Sequence, residues 1–323
     1  MKIVVTGAAG FIGSCLVAEL NEQGYTDLIL VDHEKNIEQW PNLKNYQFTK
    51  YILAQDLYKD VDFSEINCIF HMGACSSTTE TNWEYLKENN LEFSKKIFET
   101  ATKNNIVLIY ASSAATYGDG ENGYSDNHQN TDKLLPLNLY GRSKHEFDLW
   151  ALEQKETPLF WAGLKFFNVY GPNEYHKGSM RSIVHKAFEQ IREHGVVNLF
   201  KSYREGFEDG QQLRDFIYVK DVVRAMIEMM KVSNPKFNGL YNMGTGKARS
   251  FFDLVKATFK ALDKEENINF IEMPKEIRNQ YQYYTQAEMD KFKNILPDFS
   301  FHGLEEGVED YVKNFLKKDD PFY

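Results

Sequence analysis

The sequence predicts an α/β fold in which a doubly wound parallel sheet is joined to a smaller mixed α/β region. Strand-like and helix-like segments alternate through the first half of the 323-residue chain, and a glycine-rich turn joins the first strand to the first helix. Length is a third observation, because a chain of this size exceeds what one hydrophobic core usually fills. We therefore expect two parts, residues 1–168 and 169–323, with the chain crossing back into the first near 213–245.

The glycine turn is the segment Gly7-Ala-Ala-Gly-Phe-Ile-Gly13, which follows a β-branched strand at residues 3–6 and opens a predicted helix over residues 11–23. Glycines let the backbone approach a pyrophosphate closely, and the helix N-terminus offers its free N–H groups and positive dipole end to that anion. A second predicted strand, residues 28–31, ends at Asp32. An acid about 20 residues past the last glycine is expected to hold the adenosine ribose. This order and spacing of strand, glycines, helix, strand and acid predict a Rossmann-type dinucleotide site.

The remaining pattern continues the alternation. Further strands are predicted at residues 68–71, 106–110, 161–167, 197–200, 241–243 and 268–271. Further helices are predicted at residues 83–103, 140–153, 179–194, 219–230, 250–262 and 304–316, with a polar loop at 204–212. Ligands of open parallel sheets bind beyond the carboxyl ends of the strands, so we expect the site along that edge.

Composition restricts the class of partner. With 37 Lys and Arg against 47 Asp and Glu, the net charge of −10 gives no basic field for nucleic acid. No apolar stretch approaches the ~18 residues of a membrane span, and the first residues form a strand pattern rather than a signal peptide. Cys15, Cys68 and Cys75 are expected to be reduced thiols of a cytoplasmic protein. The eight histidines have no paired spacing, so we expect no metal site.

The segment Tyr140-Gly-Arg-Ser-Lys144 puts a phenol and an amine at i and i+4, on one face of a predicted helix. A phenol with a pKa near 10 is a poor base at pH 7 unless a neighbouring ammonium, or an oxidised nicotinamide ring, stabilises the phenolate. Such a tyrosine can take a proton from a hydroxyl while hydride leaves the same carbon. Ordinary surface helices also carry this spacing, but here it follows a serine at a strand's end and a dinucleotide turn.

Ser113 is the serine expected to hydrogen-bond the reacting oxygen. Ser112 stands beside it, and the pleat of a strand turns only one of the two toward the site.

Together GAAGFIG, SSAATYG (112–118), YGRSK (140–144) and FFNVYGP (166–172) resemble the extended short-chain dehydrogenase/reductase family, which acts on nucleotide-activated sugars. Within it the chain is similar to the epimerases of ADP-activated heptose that supply lipopolysaccharide core. The segments that carry this similarity are GACSSTTE (73–80), PLNLYGRSK (136–144), FFNVYGPNEYHKGSM (166–180), LRDFIYVKDV (213–222), NMGTGKARSF (242–251) and YQYYTQA (281–287).

The resemblance implies roles for particular residues. The implied catalytic residues are Tyr140, Lys177, Ser113 and Lys144, with Lys177 as a second acid/base opposite the tyrosine. The implied cofactor contacts are Gly7, Gly10, Phe11, Ile12, Gly13, Asp32, His33, Met72, Gly73, Ala74, Cys75, Ser76, Asn89, Lys144, Val169 and Lys177. The implied substrate contacts are Ser113, Asn168, Ser179, Lys186, Phe200, Arg214 and Tyr281. Arg214 would grip the diphosphate, for which a planar, always-charged fork is suited.

The chain departs from the family pattern near the substrate and the cofactor. Lys201-Ser-Tyr203 replaces a usual glycine-containing segment, the loop at 204–212 is longer, and Lys186 stands where a histidine is typical. A carboxylate such as Asp32 usually favours NAD by repelling a 2′-phosphate. Similar epimerases often carry an acid there yet use NADP, helped by lysines further along, and the loop at 34–39 offers Lys35. On the resemblance we expect NADP, one per subunit, with NAD as the alternative.

The activity that the resemblance implies is a redox-neutral inversion of carbon six. Hydride leaves that carbon for the nicotinamide and returns to the other face of the resulting ketone, so the cofactor is not consumed and can stay tightly bound. A nucleotide-sugar 4-epimerase of the same family is the alternative, since its serine, tyrosine and lysine are the same.

Two further alternatives are disfavoured. A 4,6-dehydratase needs an Asp-Glu pair after the serine, where this chain has Ala114-Ala115-Thr116. A dinucleotide-sensing regulator would not need Tyr140 and Lys144. The family resemblance further implies a cytoplasmic homo-oligomer, a pentamer.

Overall fold

The computed structural model describes residues 1–33, 41–278 and 281–323. The strands in these ranges are β1 (Ile3–Thr6), β2 (Leu28–Asp32), β3 (Lys50–Leu53), β4 (Cys68–His71), β5 (Val107–Ser113), β6 (Phe160–Phe166), β7 (Asn168–Tyr170), β8 (Val197–Phe200), β9 (Leu213–Tyr218), β10 (Gly239–Met243), β11 (Ala248–Ser250) and β12 (Ile268–Ile271). The α-helices are α1 (Phe11–Glu22), α2 (Leu57–Asp60), α3 (Trp83–Leu86), α4 (Phe93–Lys103), α5 (Leu139–Leu152), α6 (Ile183–His194), α7 (Val219–Val232), α8 (Phe251–Ala261), α9 (Lys275–Arg278), α10 (Asp290–Ile295) and α11 (Leu304–Tyr311). Lys87–Glu92 and Val312–Leu316 are π-helical, and Tyr175–Met180 is a 3₁₀ segment.

The main sheet of the described residues has the strand order β10-β6-β5-β4-β1-β2-β3, and its pairings are all parallel. The order reverses between β1 and β4, where Ile3 pairs with Cys68 and Thr6 with His71. In open α/β sheets the ligand crevice lies at such a reversal, outside the carboxyl ends of the strands. The glycine turn after β1 and the loop after β4 therefore flank the crevice.

The strands of this sheet are buried on both faces, which explains their nearly continuous apolar sequences. Along β1, Ile3 and Val5 pack in one core, while Val4 packs in the other. Residues of α1 and α7 complete the first core, and residues of α4 and α5 complete the second. The period-2 alternation of a strand thus divides one short segment between two cores.

The second half of the chain leaves the main sheet and returns to it. β10 pairs in parallel with β6, from Gly239 beside Ala162 to Met243 beside Phe166. Two small sheets, β11-β9-β7 and β12-β8, lie outside it, and α6 and α8 share a small core with β8. The division into residues 1–168 and 169–323 stays a prediction.

The structure corrects the predicted bounds at two places that matter for function. The strand predicted at 106–110 continues to Ser113, because its pairing with β6 runs on to Phe166. The helix predicted at 179–194 begins only at Ile183, because the Ser182 side chain caps it by accepting a hydrogen bond from the His185 N–H. The residues before that cap form the 3₁₀ segment Tyr175–Met180 instead.

The sequence analysis also missed β9, whose segment Leu-Arg-Asp-Phe-Ile-Tyr carries two buried charged residues in place of an apolar run. Asp215 is buried there because it accepts hydrogen bonds from the backbone N–H groups of Thr245, Gly246 and Ala287. None of the helices in the described ranges combines the length and the apolar composition that crossing a bilayer requires.

Candidate active site

A cavity of about 1320 Å³ runs along the carboxyl edge of the main sheet. It exceeds the ~300–1,000 Å³ typical of a pocket for one ligand, so it has room for two. All the predicted site residues line this cavity except Ser179. Ser179 is exposed, and its carbonyl accepts a hydrogen bond of 2.7 Å from the Lys186 ammonium. The structure therefore does not bring the Ser179 side chain into the site.

The glycine turn leaves no room for side chains where it meets the loop after β4. Gly7 has a φ of +66°, and a Cβ there would lie 2.6 Å from the Gly73 nitrogen. A Cβ on Gly13 would lie 2.0 Å from the Gly7 carbonyl oxygen. Helix α1 begins at Phe11, and its N-cap residue Gly10 has no side chain to cap the first N–H groups, while Gly10, Phe11, Ile12 and Gly13 all line the cavity. These features fit the diphosphate of a dinucleotide.

Asp32 fixes the end of β2 against the glycine turn. Its Oδ2 accepts a hydrogen bond of 2.9 Å from the Ala9 N–H, and its Oδ1 accepts one of 2.8 Å from the His33 N–H. Each carboxylate oxygen can accept a further hydrogen bond, so the group can also hold ribose hydroxyls. Lys35, the lysine expected to help a 2′-phosphate, lies outside the described residues.

The loop after β4 is held by Asn90, a buried residue of the π-helical segment that the sequence analysis did not single out. Its Oδ1 accepts from the Cys75 N–H at 2.8 Å, and its Nδ2 donates to the Cys75 carbonyl and to the Ser143 hydroxyl, both at 3.0 Å. Asn89, which was predicted, lines the cavity and donates to the Tyr85 carbonyl. Single π turns inside helices often occur at functional sites.

His71 lies beneath this loop and has a structural role. Its ring nitrogens hydrogen-bond the hydroxyls of Thr6 at 2.7 Å and Ser94 at 2.9 Å. Burial lowers the pKa of His71 to about 3, and the positive charge of Lys144 acts in the same direction. The ring is therefore neutral at ordinary pH.

Helix α5 presents Tyr140 and Lys144 to the cavity, and its N-cap Asn138 accepts from the Gly141 N–H at 2.7 Å. Lys144 is 4% exposed and donates to the Ala111 carbonyl at 2.9 Å. Burial lowers the pKa of Lys144 to about 8, with Asp148 opposing the shift. Burial raises the pKa of Tyr140, and its hydrogen bond with Ser113 acts in the opposite direction.

The two serines at the end of β5 point in different directions. Ser112 is buried and donates to Asp148 at 2.7 Å, whereas Ser113 interacts with Tyr140 and accepts from the Ala115 N–H at 3.1 Å. Asp148 also accepts from the Lys165 ammonium at 2.6 Å. The Ser112 hydroxyl is thus engaged by the carboxylate of this buried ion pair, and Ser113 is the serine that hydrogen-bonds Tyr140.

Lys177 reaches the cavity from a different wall. It lies in the 3₁₀ segment that follows β7, and its ammonium is 5.2 Å from the centre of the Phe11 ring at the start of α1. Burial lowers the pKa of Lys177, and the negative charge of Glu174 opposes that shift. Tyr140 and Lys177 therefore approach one space from helix α5 and from the segment after β7.

Arg214 lines the cavity from β9 and lies beside two aromatic rings. Its guanidinium carbon is 5.3 Å from the centre of the Tyr281 ring and 5.5 Å from that of Phe251. The side chain donates to the carbonyls of Leu213 and Gln282, which leaves further N–H donors of its five for a ligand. Phe251 was predicted only as part of a helix, and nothing in its local pattern indicates the contact with Arg214.

The other predicted contacts fill the space between these groups. Asn168 and Val169 line the cavity from β7, Lys186 lines it from α6, and Phe200 lines it from the end of β8. The rings of Phe200 and Tyr281 meet edge to face with centres 6.5 Å apart. In the described ranges, no group of three or more His, Cys, Asp or Glu residues is arranged to hold a metal ion.

Comparison with known proteins gives a consistent answer over the whole chain. ADP-L-glycero-D-manno-heptose-6-epimerases from Fusobacterium nucleatum and Nitratidesulfovibrio vulgaris are 49% and 47% identical to it, and each alignment covers 99% of both chains. The crystal structure of the Helicobacter pylori ADP-L-glycero-D-manno-heptose-6-epimerase has a TM-score of 0.77 at 26% identity, over 97% of this chain and 95% of that chain.

The sequence model of the NAD dependent epimerase/dehydratase family matches residues 3–244. The predicted fold class and the predicted resemblance are confirmed. The cavity's glycine turn and the family match agree on a nicotinamide cofactor. This chain therefore belongs to the NAD dependent epimerase/dehydratase family.

Proposed function

We propose that the protein inverts carbon six of ADP-glycero-D-manno-heptose, from the D-glycero to the L-glycero form, by transient oxidation and re-reduction with a tightly bound nicotinamide cofactor. The observation that carries this proposal is one cavity with acid/base groups on two walls, Tyr140 with Ser113 on one and Lys177 on another. The relatives of that name at 47% and 49% identity support it, and favour it over the 4-epimerase alternative.

The bound nicotinamide supplies a hydride acceptor and donor and, when oxidised, a positive charge beside the phenol. Tyr140 takes the proton of the carbon-six hydroxyl while the hydride leaves the same carbon, and Ser113 donates a hydrogen bond to the reacting oxygen. Lys144, held by the Ala111 carbonyl, keeps a positive charge beside Tyr140 at pH values below about 8. That charge is needed because burial raises the pKa of Tyr140.

Lys177 acts on the opposite face. Once oxidation has made carbon six a planar ketone, the sugar can present its other face to the returning hydride. The Lys177 ammonium then donates a proton to the ketone oxygen, and in the reverse direction the neutral amine takes it back. Burial lowers the pKa of Lys177, which brings both protonation states closer to working pH.

Arg214 binds the diphosphate of the substrate, and its position between two aromatic rings sets the plane of its fork. Tyr281 lies beside Arg214 and Phe200 beside Tyr281, and we propose that both rings contact the nucleotide part of the substrate. We propose the other predicted contacts, Asn168 and Lys186 among them, for the sugar itself, and we no longer assign a side-chain contact to Ser179.

The test is proton NMR of ADP-heptose before and after addition of the purified protein, with no cofactor added. We expect interconversion of the two carbon-six epimers and no net production of reduced cofactor. Inversion of a ring carbon of a nucleotide hexose, with ADP-heptose left unchanged, would overturn the proposal.

Three finer statements belong to the same proposal. We propose NADP as the cofactor on the family resemblance, and mass spectrometry of the dinucleotide released from the purified protein tests it; release of NAD alone would contradict it. The resemblance also supports a homo-oligomer, a pentamer, which native mass spectrometry measures directly. A cytoplasmic location rests on the same resemblance and is tested by cell fractionation.

A further inference from the structure

We propose that residues 320–323, here called the clamp segment, position Lys177 for its reaction step. This inference rests on the proposed role of Lys177 and adds a part of the molecule that lies outside the cavity. None of its four residues lines the cavity, so we treat them as positioning residues.

The first contact is with Tyr175, the residue that begins the 3₁₀ segment of Lys177. The Tyr175 hydroxyl donates to the Pro321 carbonyl. The Phe322 ring meets the Tyr175 ring edge to face, with centres 5.3 Å apart and planes at 84°. Tyr175 is thus held by a hydrogen bond and by an aromatic contact, two residues before Lys177.

The second contact joins the clamp segment to the cofactor side of the site. The Tyr323 N–H donates to the Asn173 side-chain oxygen at 2.9 Å, and the Asn173 amide donates to the Ser14 hydroxyl of α1 at 3.0 Å. Asn173 is fully buried and has a φ of +70°, a left-handed conformation that asparagine adopts more readily than most residues other than glycine. The Tyr323 hydroxyl also donates to Glu19 of α1 at 3.0 Å.

Other contacts also reach the 3₁₀ segment: the Asn42 amide nitrogen lies 3.4 Å from the Nδ1 atom of His176, and the Tyr175 ring lies 5.6 Å from the His185 ring, centre to centre. None of the residues of Tyr175–Met180 is fully buried, and Gly178 interrupts the turn with a φ of +53°. Its backbone is tied by the Lys177 N–H to the Glu174 carbonyl at 3.0 Å, by the Arg181 side chain to the Gly178 carbonyl at 2.9 Å and by the Lys186 ammonium to the Ser179 carbonyl at 2.7 Å. Because no residue of this segment is fully buried, local opening of the segment costs little free energy. The Phe322–Tyr175 contact therefore raises the fraction of molecules in which Lys177 is positioned for reaction.

The experiment uses Phe322→Ala in the full chain with its bound dinucleotide. We expect kcat for epimerisation to fall about 3- to 10-fold, the range that loss of one edge-to-face aromatic contact predicts. KM should stay within about twofold because Arg214 and Tyr281 lie on other elements, and the amount of dinucleotide per subunit should not change. Phe322→Tyr keeps the ring edge and should restore the wild-type kcat.

Phe63→Ala is the matched control. Phe63 is half-buried like Phe322 and packs on Tyr58 with ring centres 5.5 Å apart, but in the core on the other face of the main sheet. It should lower thermal stability by a similar amount and leave kcat unchanged. An equal loss of kcat in Phe63→Ala and Phe322→Ala would show that the loss comes from lower overall stability, and it would overturn the inference.

The milder Phe322→Leu guards against a failure to fold, since it keeps apolar volume and removes only the ring edge. If kcat of Phe322→Ala and of Phe322→Leu equals that of wild type while Lys177→Met is inactive, the clamp inference is wrong and the proposed function stands. If Lys177→Met is itself active, the proposed role of Lys177 fails, whatever the Phe322 variants do.

Discussion

Replacing Lys177 by Met tests the two-wall mechanism most directly, because it removes the second acid/base group and keeps the unbranched stem. General acid–base groups contribute typically ~10²–10⁴-fold to rate, so we expect kcat for epimerisation to fall at least about 100-fold in both directions. Each direction needs one group on each face of the ketone. A loss in one direction alone is therefore not expected.

The structure predicts that this substitution leaves the fold intact. The Lys177 ammonium is 5.2 Å from the Phe11 ring, a contact worth about 0.5–2 kcal/mol that is lost. A methionine sulfur beside the same ring contributes about 0.3–1.5 kcal/mol of stabilisation. The substitution also removes the cost of burying the Lys177 charge, the same desolvation that lowers the pKa of Lys177. The net change in stability should be within about 1 kcal/mol.

The assay is NMR of epimer interconversion at matched protein concentration, with circular dichroism to verify folding and mass spectrometry to verify the bound dinucleotide. An ADP-sugar with an aldehyde at carbon six separates the roles of Tyr140 and Lys177, since one molecule can be oxidised while another is reduced. A Lys177→Met protein that epimerises at close to the wild-type rate would show that Tyr140 serves both faces.

Three further predictions concern the other groups of the cavity. Tyr140→Phe should lose at least two orders of magnitude in kcat and keep its dinucleotide, and turnover within threefold of wild type would exclude Tyr140 as the base. Arg214→Ala should mainly raise KM, by about 30- to 150-fold for ~2–3 kcal/mol of charged contact, and an unchanged affinity in a titration would assign Arg214 to the fold. Since burial lowers the pKa of Lys144 to about 8, kcat should fall as the pH rises through about 8, and a flat profile to pH 10 would contradict this role. Loss of folding stability at Lys144 does not explain such a fall. Between pH about 8 and 10.5 the unfolded chain binds more protons at this lysine than the folded chain does, so the contribution of Lys144 to the free energy of unfolding rises with pH.

The sequence predicted six of the seven strands of the main sheet because their signals are local, and it missed the edge strand β3, in which only Ile52 is buried. The strands at Ile3–Thr6 and Cys68–His71 carry continuous apolar runs, and the glycine turn has a spacing that few other structures require. β9 was missed because its buried Asp215 is stabilised by backbone N–H groups from residues 30 or more positions away. No local pattern contains those partners.

In the site, too, the residues in local motifs were predicted and a residue that acts through distant contacts was not. Tyr140 and Arg214, which line the cavity, stand in short motifs and were predicted from them. Asn90 was not, because the regular period of the predicted helix at 83–103 does not show that a π turn inserts there and directs the amide at Cys75. The predicted neighbour, Asn89, lines the cavity but does not hold the loop.

The buried ion pair of Asp148 and Lys165 bears on the choice between Ser112 and Ser113, and no local sequence pattern shows it. A buried charge pair costs desolvation, which only good geometry and further hydrogen bonds offset. Here Asp148 accepts from Tyr110 and Ser112 as well as from Lys165, and Lys165 also donates to Thr116, whose hydroxyl donates to the Ser113 carbonyl. The network thus fixes the strand on both sides of Ser113. A pleat alone allows either serine to face the cavity, and the Asp148–Lys165 pair, formed from α5 and β6, engages the Ser112 hydroxyl, which favours Ser113 for the proposed role.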